Sequence, residues 1–258
     1  MFKDEIAYKK YVWFTDKFKT DTLIETGTFW GESSIVFSKF HTNVITCEIN
    51  DFNIKKAIIN FKRNGFSEES ISYTKTYNLK VFKFVKSNKN IWLIKGSSEL
   101  VLESIFLGEL NYNFETPFTF FLDAHWDLYW PLIDELRLIG DFKLSDSKII
   151  IHDFKVPGFD DWGYDSYQNQ DLDYDYVNGY LFRINPFYLP FFPDKVCSSQ
   201  HGRGILYAIP PNEIDFEDYI KLNRGNPPIK INESLMDSNQ INELRNNYHT
   251  FNKKNNII

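Results

Sequence analysis

Through its first 155 residues the chain alternates short apolar runs with longer stretches at helical spacing. This order limits the fold more than any other feature. A strand–helix repeat of this kind builds a parallel sheet with helices on both faces. Strands are expected over residues 22–25, 44–48, 71–75, 91–95, 117–123 and 147–153. The last two, around Phe118-Thr119-Phe120-Phe121-Leu122 and Ile149-Ile150-Ile151, have the apolar character of strands buried on both sides. Helices are expected over 33–41, 53–64, 81–86, 99–107 and 130–140, with one or two more over 3–19 ahead of the core. Asn64-Gly65 is a helix stop, and Pro131 stands where a first helical turn tolerates proline.

After Asp153 the texture changes. Residues 156–180 are rich in Asp, Tyr, Gly and Asn and read as an insertion or lid. Residues 182–189 read as helix or extended chain. Residues 195–199 and 204–209 read as a closing strand pair around the turn His201-Gly202-Arg203-Gly204. The expectation is one domain over 1–210 and a polar extension over 211–258, with one helix at 238–248.

A formal net charge of −6 speaks against a general nucleic-acid binder. No apolar run reaches membrane-spanning length, and the charged first ten residues lack the apolar stretch of a secretory signal. Cys47 and Cys197 make no disulfide framework. A soluble cytoplasmic protein is expected, with no membrane partner and with a homo-oligomer left open.

The first strand ends at Glu25 and leads into Thr26-Gly27-Thr28-Phe29-Trp30-Gly31. Gly27 allows a tight turn and close approach of backbone to a ligand. Gly31 marks the start of a helix that Ser33 or Ser34 can cap. The loop lacks the G-x-G-x-x-G pattern, which disfavours a nicotinamide cofactor. Glu48 ends the second strand, where a carboxylate can accept hydrogen bonds from both hydroxyls of a ribose. Asp123, His125, His152 and Asp153 stand at the ends of the two most apolar strands.

Residues 25–31 resemble motif I of class I S-adenosylmethionine-dependent methyltransferases, in the form E-T-G-T-x-x-G. Residues 44–48 look like motif II, Lys95-Gly96-Ser97-Ser98 like the segment beside the adenine, and residues 121–126 like the motif closing the fourth strand. The resemblance covers roughly residues 20–155. It implies a Rossmann-like α/β fold of the class I methyltransferase kind, with a mostly parallel sheet and a terminal antiparallel strand. It implies that S-adenosylmethionine is held by Glu25, Thr26, Gly27, Thr28, Phe29, Gly31, Ser33, Glu48, Ser97, Ser98 and Asp123.

Residues 121–129 and 151–158 are similar to strings of the catechol O-methyltransferase group and of metal-dependent sugar O-methyltransferases. In that resemblance Asp123, His152 and Asp153 match the ligands of a divalent cation, Mg or Mn. The chain departs from the catechol pattern: Ala124 is extra, His-Asp replaces Asp-Asn, and Asp127 replaces a basic lysine. For the chemistry, Asp123, His125 and His152 are the candidate catalytic groups, with His125 the preferred base because imidazole titrates near neutral pH. Trp162, Tyr164, Tyr167, Tyr174 and Tyr176 lie among Asp160, Asp161, Asp165, Asp171, Asp173 and Asp175. That mixture suits a polyhydroxylated or cationic acceptor, or simply a solvated loop. His201 and Arg203 suit either an acidic group on an acceptor or a turn. The expected function is O-methylation of a sugar, glycan or other small molecule. Two rivals remain: a non-catalytic binding protein, and a metal-dependent hydroxylase or hydrolase using the same strand ends.

Overall fold

The computed structural model describes residues 5–110, 112–125, 129–159, 161–192, 202–215 and 218–219. The chain runs α1 (Glu5–Lys17), β1 (Thr22–Thr26), α2 (Glu32–Phe37), β2 (Asn43–Glu48), α3 (Asp51–Arg63), β3 (Ser67–Tyr73), β4 (Lys80–Lys86), β5 (Lys89–Lys95) and α4 (Ser98–Phe106). It continues through β6 (Thr119–Leu122), α5 (Leu132–Asp141), β7 (Lys148–His152), β8 (Ser166–Tyr167), β9 (Gln170–Asp171), α6 (Tyr174–Ile184), β10 (Leu189–Phe191) and β11 (Ile205–Ile209). Nine of these strands form one sheet in the order β10-β11-β7-β6-β1-β2-β5-β4-β3.

Strands β5, β2, β1, β6 and β7 are mutually parallel, and β11 runs antiparallel between β7 and β10. This is the parallel sheet that the strand–helix order predicts, in the Rossmann-like α/β form that the motif resemblance implies, with its reversed terminal strand at Ile205–Ile209. The chain progresses one way from β1 through β2 to β5 and the other way from β6 to β7. The crevice at the carboxyl ends of β1 and β6 is therefore the switch point, where ligands bind in open parallel sheets.

Two apolar layers hold the sheet. One packs Val101 and Leu102 of α4, Leu136 and Ile139 of α5, and Val177 and Leu181 of α6 against Ile24, Ile45, Phe120 and Ile151. The other packs Tyr11 and Phe14 of α1, Phe37 of α2, and Ala57 and Phe61 of α3 against Leu23, Val44, Phe121 and Ile150. Alternate residues of the same strands thus feed opposite layers, as the pleat requires.

Three sequence expectations change. Residues 81–86 are not a helix but β4, paired antiparallel with β5 from Lys80↔Lys95 to Lys86↔Lys89. The run Lys80-Val81-Phe82-Lys83-Phe84-Val85-Lys86 is too short for its periodicity to separate helix from strand, and its β-branched and aromatic residues favour the sheet. Its partner β3 starts at Ser67, ahead of the expected 71, and forms an exposed edge with Glu68 and Glu69 on it. Charges on an edge discourage further strand pairing. Residues 156–180 are not irregular throughout. After the β8–β9 hairpin, Asp173 caps α6 by accepting from Tyr176 N at 2.9 Å. Val177, Leu181 and Ile184 then recur at helical spacing as the buried stripe.

The strand expected at 195–199, residue His201, and the tail with its helix at 238–248 lie outside the described residues. Beyond Pro210 the chain still touches the core, with Ile214 and Tyr219 buried. Among the described residues no helix is long and apolar enough to cross a membrane.

Lys148, 1% exposed at the start of β7, pairs with Glu213 at 2.6 Å. Removing one member of such a pair strands a buried charge. Glu213→Ala is expected to cost about 2 kcal/mol, less than for a fully buried pair because Glu213 is partly exposed. Urea unfolding of the full chain measures this, and a loss below about 0.5 kcal/mol contradicts it.

Candidate active site

The loop after β1 is set by where its side chains send their hydrogen bonds. Glu25 is 1% exposed and its carboxylate accepts from Ser33 Oγ, Ser34 Oγ and Thr46 Oγ1, the last at 2.7 Å. Burial pushes its pKa up to about 7 against the pull of those hydroxyls. Ser33 and Ser34 therefore do not cap α2, as the sequence suggests. They tie α2 to the end of β1, and Gly31 stands at the N-cap with φ 74°. A Cβ on Gly31 would overlap the Phe61 ring. Gly27 has φ 84°, and a Cβ there would lie 2.8 Å from the Asp123 carbonyl oxygen. Both glycines are required by positive φ and by close packing.

Thr26 Oγ1 accepts from Asp123 N at 3.2 Å, and Thr28 N donates to the Cys47 carbonyl at 2.9 Å. Phe29 is left-handed at φ 48°, and its N–H donates to Glu48 Oε2 at 2.9 Å. Asn50 N–H donates to Glu48 Oε1 at 2.8 Å. Glu48 is thus fixed by two backbone donors and keeps lone pairs for two more. Gly96 N–H donates to the Glu48 carbonyl at 3.0 Å, which brings Ser97 and Ser98 alongside the same crevice. The ring of Phe29 is exposed and stacks on Trp30 with centroids 4.9 Å apart.

Beside the loop, the ends of β6 and β7 bring acids and imidazole together. His152 Nδ1 lies 3.0 Å from Asp123 Oδ1 and 3.1 Å from Asp153 Oδ1. Arg203 places Nε 2.8 Å from Asp153 and a terminal guanidinium nitrogen 3.1 Å from Asp165. Burial works against a charge on His152, but the two carboxylates overcome it and hold its pKa up at about 10. Burial would raise Asp153, yet His152 and Arg203 hold it below the usual carboxylate range. Asp165 is raised by burial and by Asp153. His125 is exposed at the mouth, with Nδ1 3.0 Å from the Tyr167 hydroxyl and Nε2 4.0 Å from Asp165. Trp126 and Asp127 lie outside the described residues.

Two groups were not singled out as site residues by the motifs. Arg203 reads equally as a turn residue, because its partners Asp153 and Asp165 lie far back in the chain. Glu135 interrupts the apolar stripe Leu132, Leu136, Ile139 of α5, a signal visible in the spacing alone. It is fully buried, and neither carboxylate oxygen has a hydrogen bond of good geometry from the described residues. Burial pushes its pKa to about 8, opposed by the hydroxyls of Ser98 and Thr26.

Asp123, His152 and Asp153 each bring one donor atom to within 4.8 Å of the others, as a metal site requires. In this structure the same donor atoms bond one another and Arg203 instead. The imidazole nitrogen facing both acids carries the proton it shares with them, and a guanidinium lies on Asp153. A divalent cation would have to displace Arg203 and take the His152 proton, so no step is assigned to one.

No known sequence family matches the chain, and no curated protein matches it in sequence. Solved structures share its chain path. A Staphylococcus aureus protein described as a caffeoyl-CoA O-methyltransferase is 14% identical, with 79% of this chain and 81% of that one covered and a TM-score of 0.45. An rRNA methylase from Streptococcus thermophilus is 10% identical, with 79% and 96% covered and a TM-score of 0.46. A protein from Nostoc punctiforme described as an O-methyltransferase is 12% identical, with 78% and 55% covered and a TM-score of 0.49. Likeness of this degree says nothing of the reaction.

Glu25 predicts a pH dependence. Its pKa is about 7 when folded and near 4.5 when unfolded, so between those values the native state holds a proton the unfolded chain has lost. Its contribution is complete below about pH 4.5 and is lost as pH rises through about 7. Glu25→Gln is expected to remove on the order of 2 kcal/mol of the decline in unfolding free energy between pH 5 and 8. Parallel urea titrations across that range would contradict this if the two proteins declined equally.

Proposed function

We propose that this protein transfers a methyl group from S-adenosylmethionine to a hydroxyl of a sugar or another small polar acceptor. The observation that carries the reading is the joint placement at the switch point of the Gly27–Gly31 loop, the anchored carboxylate of Glu48, and the acid–imidazole cluster on β6 and β7. The motif resemblances of residues 25–31, 44–48, 95–98 and 121–126 support it independently.

Glu48, held by Phe29 N–H and Asn50 N–H, offers its remaining lone pairs to the two ribose hydroxyls. Gly27 and Gly31 let the backbone approach the ligand without a Cβ in the way. Asp123 brings negative charge to the end of β6, which favours a sulfonium-bearing ligand over a neutral one. When bound, the cofactor supplies an electrophilic methyl group on a positively charged sulfur.

The acceptor hydroxyl must lose its proton as its oxygen bonds the methyl carbon. His125 takes it at Nε2, with Tyr167 engaging Nδ1 and the Asp165 carboxylate 4.0 Å from Nε2. His152 is not the base, because it already carries the proton that it shares with Asp123 and Asp153. It acts through them as a positioning residue, and Arg203 fixes the far side of Asp153 and Asp165. The strong charge–charge pairing keeps this corner ordered before any acceptor arrives, which is where pre-organisation contributes to rate.

The test is transfer of a radiolabelled methyl group from S-adenosylmethionine to a panel of sugars, amino sugars and phenols. His125→Ala is expected to lower kcat about 10²–10⁴-fold, with affinity for S-adenosylhomocysteine unchanged. Activity is expected to survive a strong chelator. An unchanged kcat in His125→Ala contradicts the assigned base, and loss of activity to the chelator restores the metal reading.

A further inference from the structure

A narrow cavity of about 10 Å³ opens between the ends of β6 and β7, the start of α5 and the segment 156–173. A cavity needs on the order of 10–15 Å³ to admit one water molecule, so this one takes a single water-sized group. Trp130, Leu132 and Ile151 supply apolar wall, while Asp123, Glu135 and Asp165 supply carboxylates beside His125 and His152, so that with Asp153 four acids face the two cations His152 and Arg203. An acidic lining alone would say little. The second observation is Glu135: it is fully buried on this wall, and neither oxygen receives a hydrogen bond of good geometry from the described residues, although the hydroxyls of Ser98 and Thr26 face it.

A buried carboxylate without well-formed donors is costly, and a bound donor would relieve it. Once ionised, Glu135 only accepts, so the partner that relieves it must donate. The excess of acids makes a cation a better occupant than a neutral hydroxyl. A primary ammonium group suits so narrow a cavity better than the larger guanidinium and quaternary ammonium groups. Segment 156–173 closes one side through Asp165 and Leu172, which places the cavity beside the acceptor end of the crevice.

We propose that Glu135 and Asp123 bind a primary ammonium group of the acceptor, which makes the substrate class an amine-bearing alcohol such as an amino sugar. This deepens the methyltransferase reading and rests on it. A protonated amine has no lone pair, so it anchors the molecule in this cavity and leaves a separate hydroxyl to react at His125. Selectivity then comes from charge at the anchor, which an uncharged sugar cannot satisfy. The raised pKa of Glu135 fits a carboxylate that ionises fully only when its cation is present.

Thermal unfolding of the full chain tests the inference, using ammonium and methylammonium chloride as probes against sodium and tetramethylammonium chloride at matched ionic strength. Ammonium and methylammonium are expected to raise Tm saturably by about 3 °C over both controls. Glu135→Gln, which keeps shape and removes the charge, is expected to abolish the rise. Equal Tm values with ammonium and sodium, or an equal rise in Glu135→Gln, overturn the proposal. S-adenosylhomocysteine titrated into the wild-type protein separates the two readings. Its binding without any ammonium effect removes the anchor alone. An ammonium effect without its binding keeps the cation site and removes the methyl acceptor.

Discussion

Glu25 receives hydroxyls from Ser33, Ser34 and Thr46 while almost wholly out of solvent. Those three donors come from two elements, so one side chain at the end of β1 ties α2 and β2 together. The loop between β1 and α2 inherits its path from that tie. Gly27 can then press against the Asp123 carbonyl, and Phe29 can turn left-handed to reach Glu48. Without Glu25 the loop would lose its anchor, and Glu48 would lose one of the two backbone donors that aim it. The cost of burying this acid shows in its pKa near 7, and the surrounding hydroxyls keep that cost bounded.

A second constraint is charge balance at the ends of β6 and β7. Asp123, Asp153 and Asp165 lie close enough to repel, and two cations, His152 and Arg203, are interleaved with them. The arrangement settles the roles of the two imidazoles. His152 is locked as a donor between acids, whereas His125 stands at the mouth with one nitrogen on Tyr167. A motif match gives both the same standing, and only the partners tell them apart. The same balance explains why Asp123, His152 and Asp153 match a metal-binding string yet are compensated by a guanidinium. In the same corner, both oxygens of Glu135 lack a hydrogen bond of good geometry from the described residues.

What was legible in the sequence follows from range. The parallel core and the placement of Glu48, Asp123 and His152 at strand ends depend on short runs and could be read. Residues 81–86 could not, because the run Lys80–Lys86 does not alternate strictly and becomes a strand only once Ser87 turns with φ 54° and β5 is there to pair with. The stripe Val177, Leu181, Ile184 of α6 was hidden by the acidic, tyrosine-rich residues around it. Arg203 could not be assigned to Asp153 or Asp165, since nothing local links a turn before β11 to the end of β7. Glu135 was legible as a carboxylate on an apolar stripe, but its exposure had to be seen before that spacing meant anything.

The central claim is that the crevice at β1 and β6 holds a ribose-bearing sulfonium cofactor through Glu48. Calorimetric titration of the full chain with S-adenosylmethionine and S-adenosylhomocysteine tests it most directly, with Glu48→Ala measured alongside. Micromolar binding, on the order of −8 kcal/mol, is predicted for the wild-type chain. A loss of about 1–3 kcal/mol is predicted for Glu48→Ala, which leaves the ribose hydroxyls without their acceptor. Absence of binding by both ligands, or equal binding by the two proteins, would contradict the claim.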